Sequence, residues 1–160
     1  MSSIMIGIRA KNLDKKTIKM KLLIIIPAKL DSKRLEKKNI QQINNKTLVE
    51  HSIDYAKSST YEKEIVISSE SDLVKDIALK NNTTFLKRDK DMCGDTEVVD
   101  VYINIIQKLD SKYDYVVALQ PDHPDREHSL DYCLNYMIDN NYDDLITIEP
   151  NFKRSGSIRI

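Results

Sequence analysis

Residues 29–38 hold five cations, Lys29, Lys33, Arg34, Lys37 and Lys38, against only Asp31 and Glu36. The chain as a whole carries a formal net charge of zero, so this positive charge is local. A second cluster, KRDKDMCGDT at 87–96, supplies Lys87, Arg88, Lys90, Asp95 and Thr96. A third, QPDHPDR at 120–126, supplies Gln120, Asp122, His123, Asp125 and Arg126. Gathered around one crevice, these groups would form a basic rim for a triphosphate. Such a rim would neutralise the charge of a bound polyphosphate. Glycine occurs only at 7, 94 and 156, which excludes both GxGxxG and GxxxxGK[ST]. Lysine and arginine side chains must therefore do the neutralising that backbone amides do in glycine-rich loops.

Groups this far apart in sequence need a scaffold to bring them together, and the hydrophobic pattern supplies one. Directly before the first cluster, 22–28 is an unbroken apolar run of strand length, as expected for a strand buried on both faces. Thr47-Leu-Val-Glu50 has the spacing of a capping box and predicts a helix over 47–58. Further strands are expected at 64–68, 84–86, 115–120 and 144–149, with helices at 72–80, 98–109 and 130–138. The closing GSIRI reads as one more strand or an unfinished one. Alternation of this kind implies βαβ crossovers, a mostly parallel sheet and ligand binding beyond the carboxyl ends of the strands. Each of the three polar clusters follows an expected strand.

The bulk properties narrow the classes. A chain of 160 residues with 41% apolar and 31% charged side chains is expected to fold as one domain. Lys plus Arg and Asp plus Glu balance at 25 each, which gives no global field for nucleic acid. No apolar run approaches the length of a membrane span. Cys93 and Cys133 offer neither a disulfide framework nor metal-ligand spacing, and suit reduced thiols in a cytoplasmic protein. Residues 1–19 lack the apolar core of a signal peptide and read as a disordered or non-native extension before a body that begins at Met20. His51 reads as structural, His123 and His128 as surface or helix-cap residues, and the tyrosines along the helices as core material.

The blocks IIPAKLDSKRLEKKN, IVISSESD, KRDKDMCGDT and YVVALQPDHP, in this order, resemble the acylneuraminate cytidylyltransferases (CMP-N-acetylneuraminic acid synthetases). The likeness runs from about residue 20 to 149, and RSGSIRI resembles a later segment of that family. It implies a Rossmann-like three-layer α/β/α nucleotidyltransferase with a mostly parallel sheet. The implied activity is transfer of CMP from CTP to a sialic-acid-like 2-keto-3-deoxy acid sugar, with release of pyrophosphate and Mg²⁺ as cofactor. Carried over residue by residue, Ala28, Lys29, Ser32, Lys33, Lys38 and Asn39 fall on the nucleotide loop, and Arg88 and Asp95 also lie at CTP. Lys38, Lys29 and Arg88 are the expected catalytic cations, Gln120 the expected sugar contact and Asp122 the expected metal ligand. Lys29 stands where the family has arginine, which keeps the charge and loses the bidentate fork. Asp122 and His123 replace the family's Thr-Ser and make the loop similar to that of the KDO cytidylyltransferases.

The resemblance also implies a homodimer, yet the usual dimerisation insertion between 149 and 154 and the acidic C-terminal part have no counterpart here. Two alternatives therefore stay open at this stage. One is a catalytically inactive nucleotide-binding remnant or regulatory domain. The other is a cytidylyltransferase acting on KDO or a phosphonate.

Overall fold

The computed structural model describes residues 7–9, 20–30, 37–89, 98–109 and 112–147. Its centre is β2 (Lys21–Pro27), in which Leu22 to Ile26 are all fully buried, as two-sided coverage requires. β2 pairs in parallel with β5 (Glu62–Ser69) on one side and β7 (Tyr115–Ala118) on the other, so that Ile24 faces both Ile65 and Val117. β6 (Thr84–Lys87) extends the sheet in parallel from β5, and β1 (Gly7–Arg9) closes the opposite side antiparallel to β7. The order is β1-β7-β2-β5-β6.

Alternation along β2 divides the core in two. Leu22, Ile24 and Ile26 face α1 (Leu48–Lys57), α2 (Asp72–Lys80) and α4 (Leu130–Asp139). Leu23 and Ile25 face α3 (Val98–Lys108) through Val101, Tyr102 and Ile105. This is the expected three-layer α/β/α arrangement. The chain steps outward from β2 to β5 and β6 over one face, then returns through α3 across the other face to β7. That change of face is what right-handed crossovers demand when the direction of travel reverses. The reversal leaves a crevice between the carboxyl ends of β2 and β7, the place where open α/β sheets bind ligands.

Local sequence explains the helix starts. Thr47 accepts a hydrogen bond from the Glu50 amide while the Glu50 carboxylate accepts one from the Thr47 amide, the reciprocal box expected from TLVE. Ser71 and Ser129 cap α2 and α4 through their hydroxyls.

Four features differ from the sequence reading. Within the segment expected to be a loose tail, Gly7–Arg9 forms β1, because β7 offers an open edge to pair with; residues 1–6 and 10–19 lie outside the described residues. β3 (Gln42–Ile43) and β4 (Lys46–Thr47) form a small hairpin whose turn residues Asn44 and Asn45 both have positive φ, at 51° and 62°. Asparagine tolerates that region better than most residues, which suits it to a two-residue turn. Residues 144–147, expected to begin a strand, belong to none of the described strands, and the GSIRI segment lies outside the described residues. The strand expected over 115–120 ends at Ala118, with one further ladder bond from the Leu119 amide to the Ile25 carbonyl.

Candidate active site

Two loops face each other across the crevice. The first leaves β2 at Ala28, whose amide donates to the Ser68 carbonyl at 2.8 Å and so stays tied to the sheet. Leu30 donates its amide to the Glu70 carboxylate at 2.7 Å. Asn39, buried in the short 3₁₀ turn Lys38–Ile40, donates its side-chain amide to the Lys29 carbonyl at 2.7 Å. These bonds pin both ends of the basic loop and fix where Lys29 and Lys38 leave it. Ser32 and Lys33 of that loop, with Arg34, lie outside the described residues.

The second loop leaves β7 and carries Gln120 and Asp122. Across the crevice, the Lys38 ammonium meets the Asp122 carboxylate at 2.9 Å, with both side chains largely covered. Burial raises the Asp122 carboxyl, but the hydrogen bond and charge of Lys38 outweigh it and hold Asp122 below the usual carboxylate range. Asp122 is therefore an anion at neutral pH and a hard oxygen donor. Among the described residues it has no cluster of His, Cys, Asp or Glu around it that could hold a metal through protein ligands alone.

Arg88 approaches from the other flank. It follows β6, and its side chain lies on the α3 side of the sheet, two positions beyond Leu86. It is buried and donates to the same Ser68 carbonyl that holds Ala28. The same alternation puts Gln120 on the α3 side, two positions beyond Ala118. Asp95 and its neighbours Lys90 and Thr96 lie outside the described residues. Of the ten expected site residues, Ala28, Lys29, Lys38, Asn39, Arg88, Gln120 and Asp122 thus gather at the carboxyl end of the sheet, while Ser32, Lys33 and Asp95 lie outside the described residues.

Two further residues shape the site. Arg126 donates from one guanidinium nitrogen to the Gln120 carbonyl and from another to the His123 carbonyl, each at 2.6 Å. Its guanidinium lies over the Tyr55 ring at 4.9 Å, and the Tyr55 hydroxyl donates to the His128 carbonyl, so α1 anchors both ends of the Asp122 loop. Tyr102, read from the sequence as core material, reaches from α3 to the same place. Burial pushes its phenol up to about 12, opposed by the neighbouring Gln120 side chain and the Arg88 guanidinium. The helix period marks Tyr102 as inward-facing, but nothing local says that it points at Gln120. For Arg126 the signal was its place in a polar loop, which does not reveal that the loop wraps around it.

A family model described as cytidylyltransferase matches residues 23–158. The chain belongs to the cytidylyltransferase family. Among curated cytidylyltransferases, it is 34% identical over 113 residues to a CMP-N,N'-diacetyllegionaminic acid synthase of Legionella pneumophila, covering 68% of this chain and 49% of that protein. It is 37% identical over 110 residues to a pseudaminic acid cytidylyltransferase of Campylobacter jejuni, covering 66% and 47%. The chain thus spans about half the length of these relatives. In fold it is similar to a CMP:2-keto-3-deoxy-manno-octonic acid synthetase solved with CTP, at a TM-score of 0.64 and 22% identity, over 76% of this chain and 48% of that one. No described helix is long and apolar enough to cross a membrane.

Proposed function

We propose that this chain binds CTP in the crevice between β2 and β7 and transfers CMP to an acidic sugar of the 2-keto-3-deoxy class, releasing pyrophosphate. The observation that carries this reading is the meeting of Lys38 and Asp122 across the strand-order reversal, in a chain whose family acts on cytidine nucleotides. The relatives named for legionaminic and pseudaminic acids support an acceptor of the sialic-acid type.

In the proposed step the anomeric hydroxyl of the acceptor attacks the α-phosphorus of CTP in line. The new bond joins the sugar oxygen to phosphorus, the bond to the bridging oxygen of the β-phosphate breaks, and the hydroxyl proton leaves to solvent. Lys29, Lys38 and Arg88 balance the charge on the triphosphate, with Ser32, Lys33 and Asn39 completing the nucleotide loop and Asp95 also at CTP. Gln120 contacts the sugar. Arg126 and Tyr55 hold the Asp122 loop in shape.

Magnesium is proposed as the cofactor, with Asp122 as its protein ligand. The chemistry of the site suits it: Mg²⁺ commonly takes one or two carboxylates and leaves the rest of its shell to phosphates and water. Asp122 is a single anionic carboxylate beside a basic loop. Bound there, the ion would neutralise charge on the phosphates.

The deciding experiment measures pyrophosphate release from CTP and Mg²⁺ with a panel of legionaminic, pseudaminic, sialic and KDO-type acids. Turnover with at least one acid is expected. Thermal stabilisation by CTP without turnover on any acid would reduce the role to nucleotide binding, and absence of both would overturn the reading.

A further inference from the structure

Tyr102 is only 7% exposed, and its hydroxyl is buried without a hydrogen-bond partner of ordinary geometry among the described residues. A hydroxyl in that state has given up its hydration with no compensation, whereas phenylalanine would fill the same space without that penalty. Packing alone therefore favours phenylalanine at this position.

The surroundings of the hydroxyl give it a use. Tyr102 packs with Ile25 and Ala118 on the α3 side of the sheet, and Gln120 projects from the same face just beyond Ala118. The polar groups that act on its phenol are the Gln120 side chain, the Arg88 guanidinium and the Asp122 carboxylate. The Gln120 backbone carbonyl accepts a hydrogen bond from Arg126, which fixes the main chain from which the side-chain amide projects. An amide has a donating and an accepting end, and a tyrosine hydroxyl can serve either.

We propose that Tyr102 is a positioning residue for the acceptor, its buried hydroxyl fixing the Gln120 side-chain amide in the orientation that engages the sugar. The inference rests on the functional reading in which Gln120 contacts the acceptor. The Gln120 side chain already acts on the phenol, short of a hydrogen bond of ordinary geometry, and a turn of that side chain on acceptor binding completes the contact.

Tyr102→Phe in the full chain tests this, alone and combined with Gln120→Ala. The KM for the acid sugar is expected to rise about threefold to tenfold, the worth of one neutral hydrogen bond. The KM for CTP stays within about twofold, and thermal stability is unchanged or higher because an uncompensated buried hydroxyl has been removed. In the Gln120→Ala background the same substitution changes the sugar KM no further. An unchanged sugar KM in an active Tyr102→Phe variant overturns the inference alone, as does an equal rise in both KM values, which would assign the hydroxyl to the nucleotide. An additive effect in the double variant also overturns it. A wild-type chain inactive with every acid overturns the functional reading itself, and this inference with it, so the two failures are told apart by the wild type.

Discussion

Lys38 and Asp122, 84 residues apart in sequence, form a 2.9 Å ion pair across the point where the strand order reverses. Their loops leave neighbouring parallel strands at the same end of the sheet, so the topology alone brings them within reach. The pair holds a basic loop and an acidic loop together before any ligand arrives. It also places a cation beside the carboxylate proposed above as the metal ligand.

Lys38→Ala is expected to lower stability by about 1–2 kcal/mol in urea unfolding, because it leaves a half-buried carboxylate unpaired. CTP affinity should fall roughly 10- to 100-fold, the range of a charge-assisted phosphate contact. Exchanging the two residues, Lys38→Asp with Asp122→Lys, should recover much of the stability and none of the CTP affinity. Recovery of both would mean that Lys38 serves the fold rather than the nucleotide.

The pH dependence of stability follows from three carboxylates. At Glu50, Asp122 and Asp131 burial raises the carboxyl, yet hydrogen bonds and nearby cations prevail and hold the folded value below the ordinary one. For such groups the unfolded chain binds protons first as the solution is acidified. Their stabilising contribution is thus complete above the unfolded carboxylate value, near 4, and is lost as pH falls toward the lower folded values. Thermal melts should show Tm dropping steeply between about pH 5 and pH 3, and Asp131→Asn should flatten that slope. A Tm that rises on acidification would contradict the assignment.

Arg126→Lys keeps a positive charge but cannot reach two carbonyls with a planar fork, nor stack as well over Tyr55. It should cost about 1–3 kcal/mol, since two partly buried carbonyls lose charged donors. Tyr55→Phe removes only the bond to the His128 carbonyl and should cost about 0.5–1.5 kcal/mol. Denaturant midpoints give both values.

Ser52 offers the opposite sign. It lies fully buried in α1 with its hydroxyl unpartnered among the described residues. Ser52→Ala should stabilise the protein by about 0.5–1.5 kcal/mol, through relief of that hydroxyl and a better helix propensity. Thr47→Ala, at the cap of the same helix, should cost about 1 kcal/mol.

The parallel core was legible because its signals are local and strong. LLIII can be buried on both faces only as a central strand, and TLVE states where α1 begins. Val98, Val101, Tyr102, Ile105, Ile106 and Leu109 read as one face of a helix, and all but Ile106, which is exposed, pack against the sheet. Gly7–Arg9 was not legible, since three residues carry no period and their pairing depends on a distant edge. The Gln42–Thr47 hairpin escaped notice because its strands are two residues each and its apolar Ile43 is exposed. In the site, the charged loops were visible from composition and their position after strands. The partnerships were not: that Lys38 meets Asp122, that Arg126 sits inside its own loop, and that Tyr102 turns toward Gln120 are all set by how α1, α3 and the sheet pack.

The pairing of Gly7–Arg9 with Tyr115–Ala118 has a consequence for how the molecule is made. Strands that lie roughly 110 residues apart in sequence must close a very long loop to meet. During synthesis the first of them leaves the ribosome well before its partner exists, and has to wait while β2, β5 and β6 assemble without it. The earliest-made of the described strands is therefore the last of them able to join the sheet, and nascent chains stalled before Tyr115 would be the ones in which it remains unclaimed.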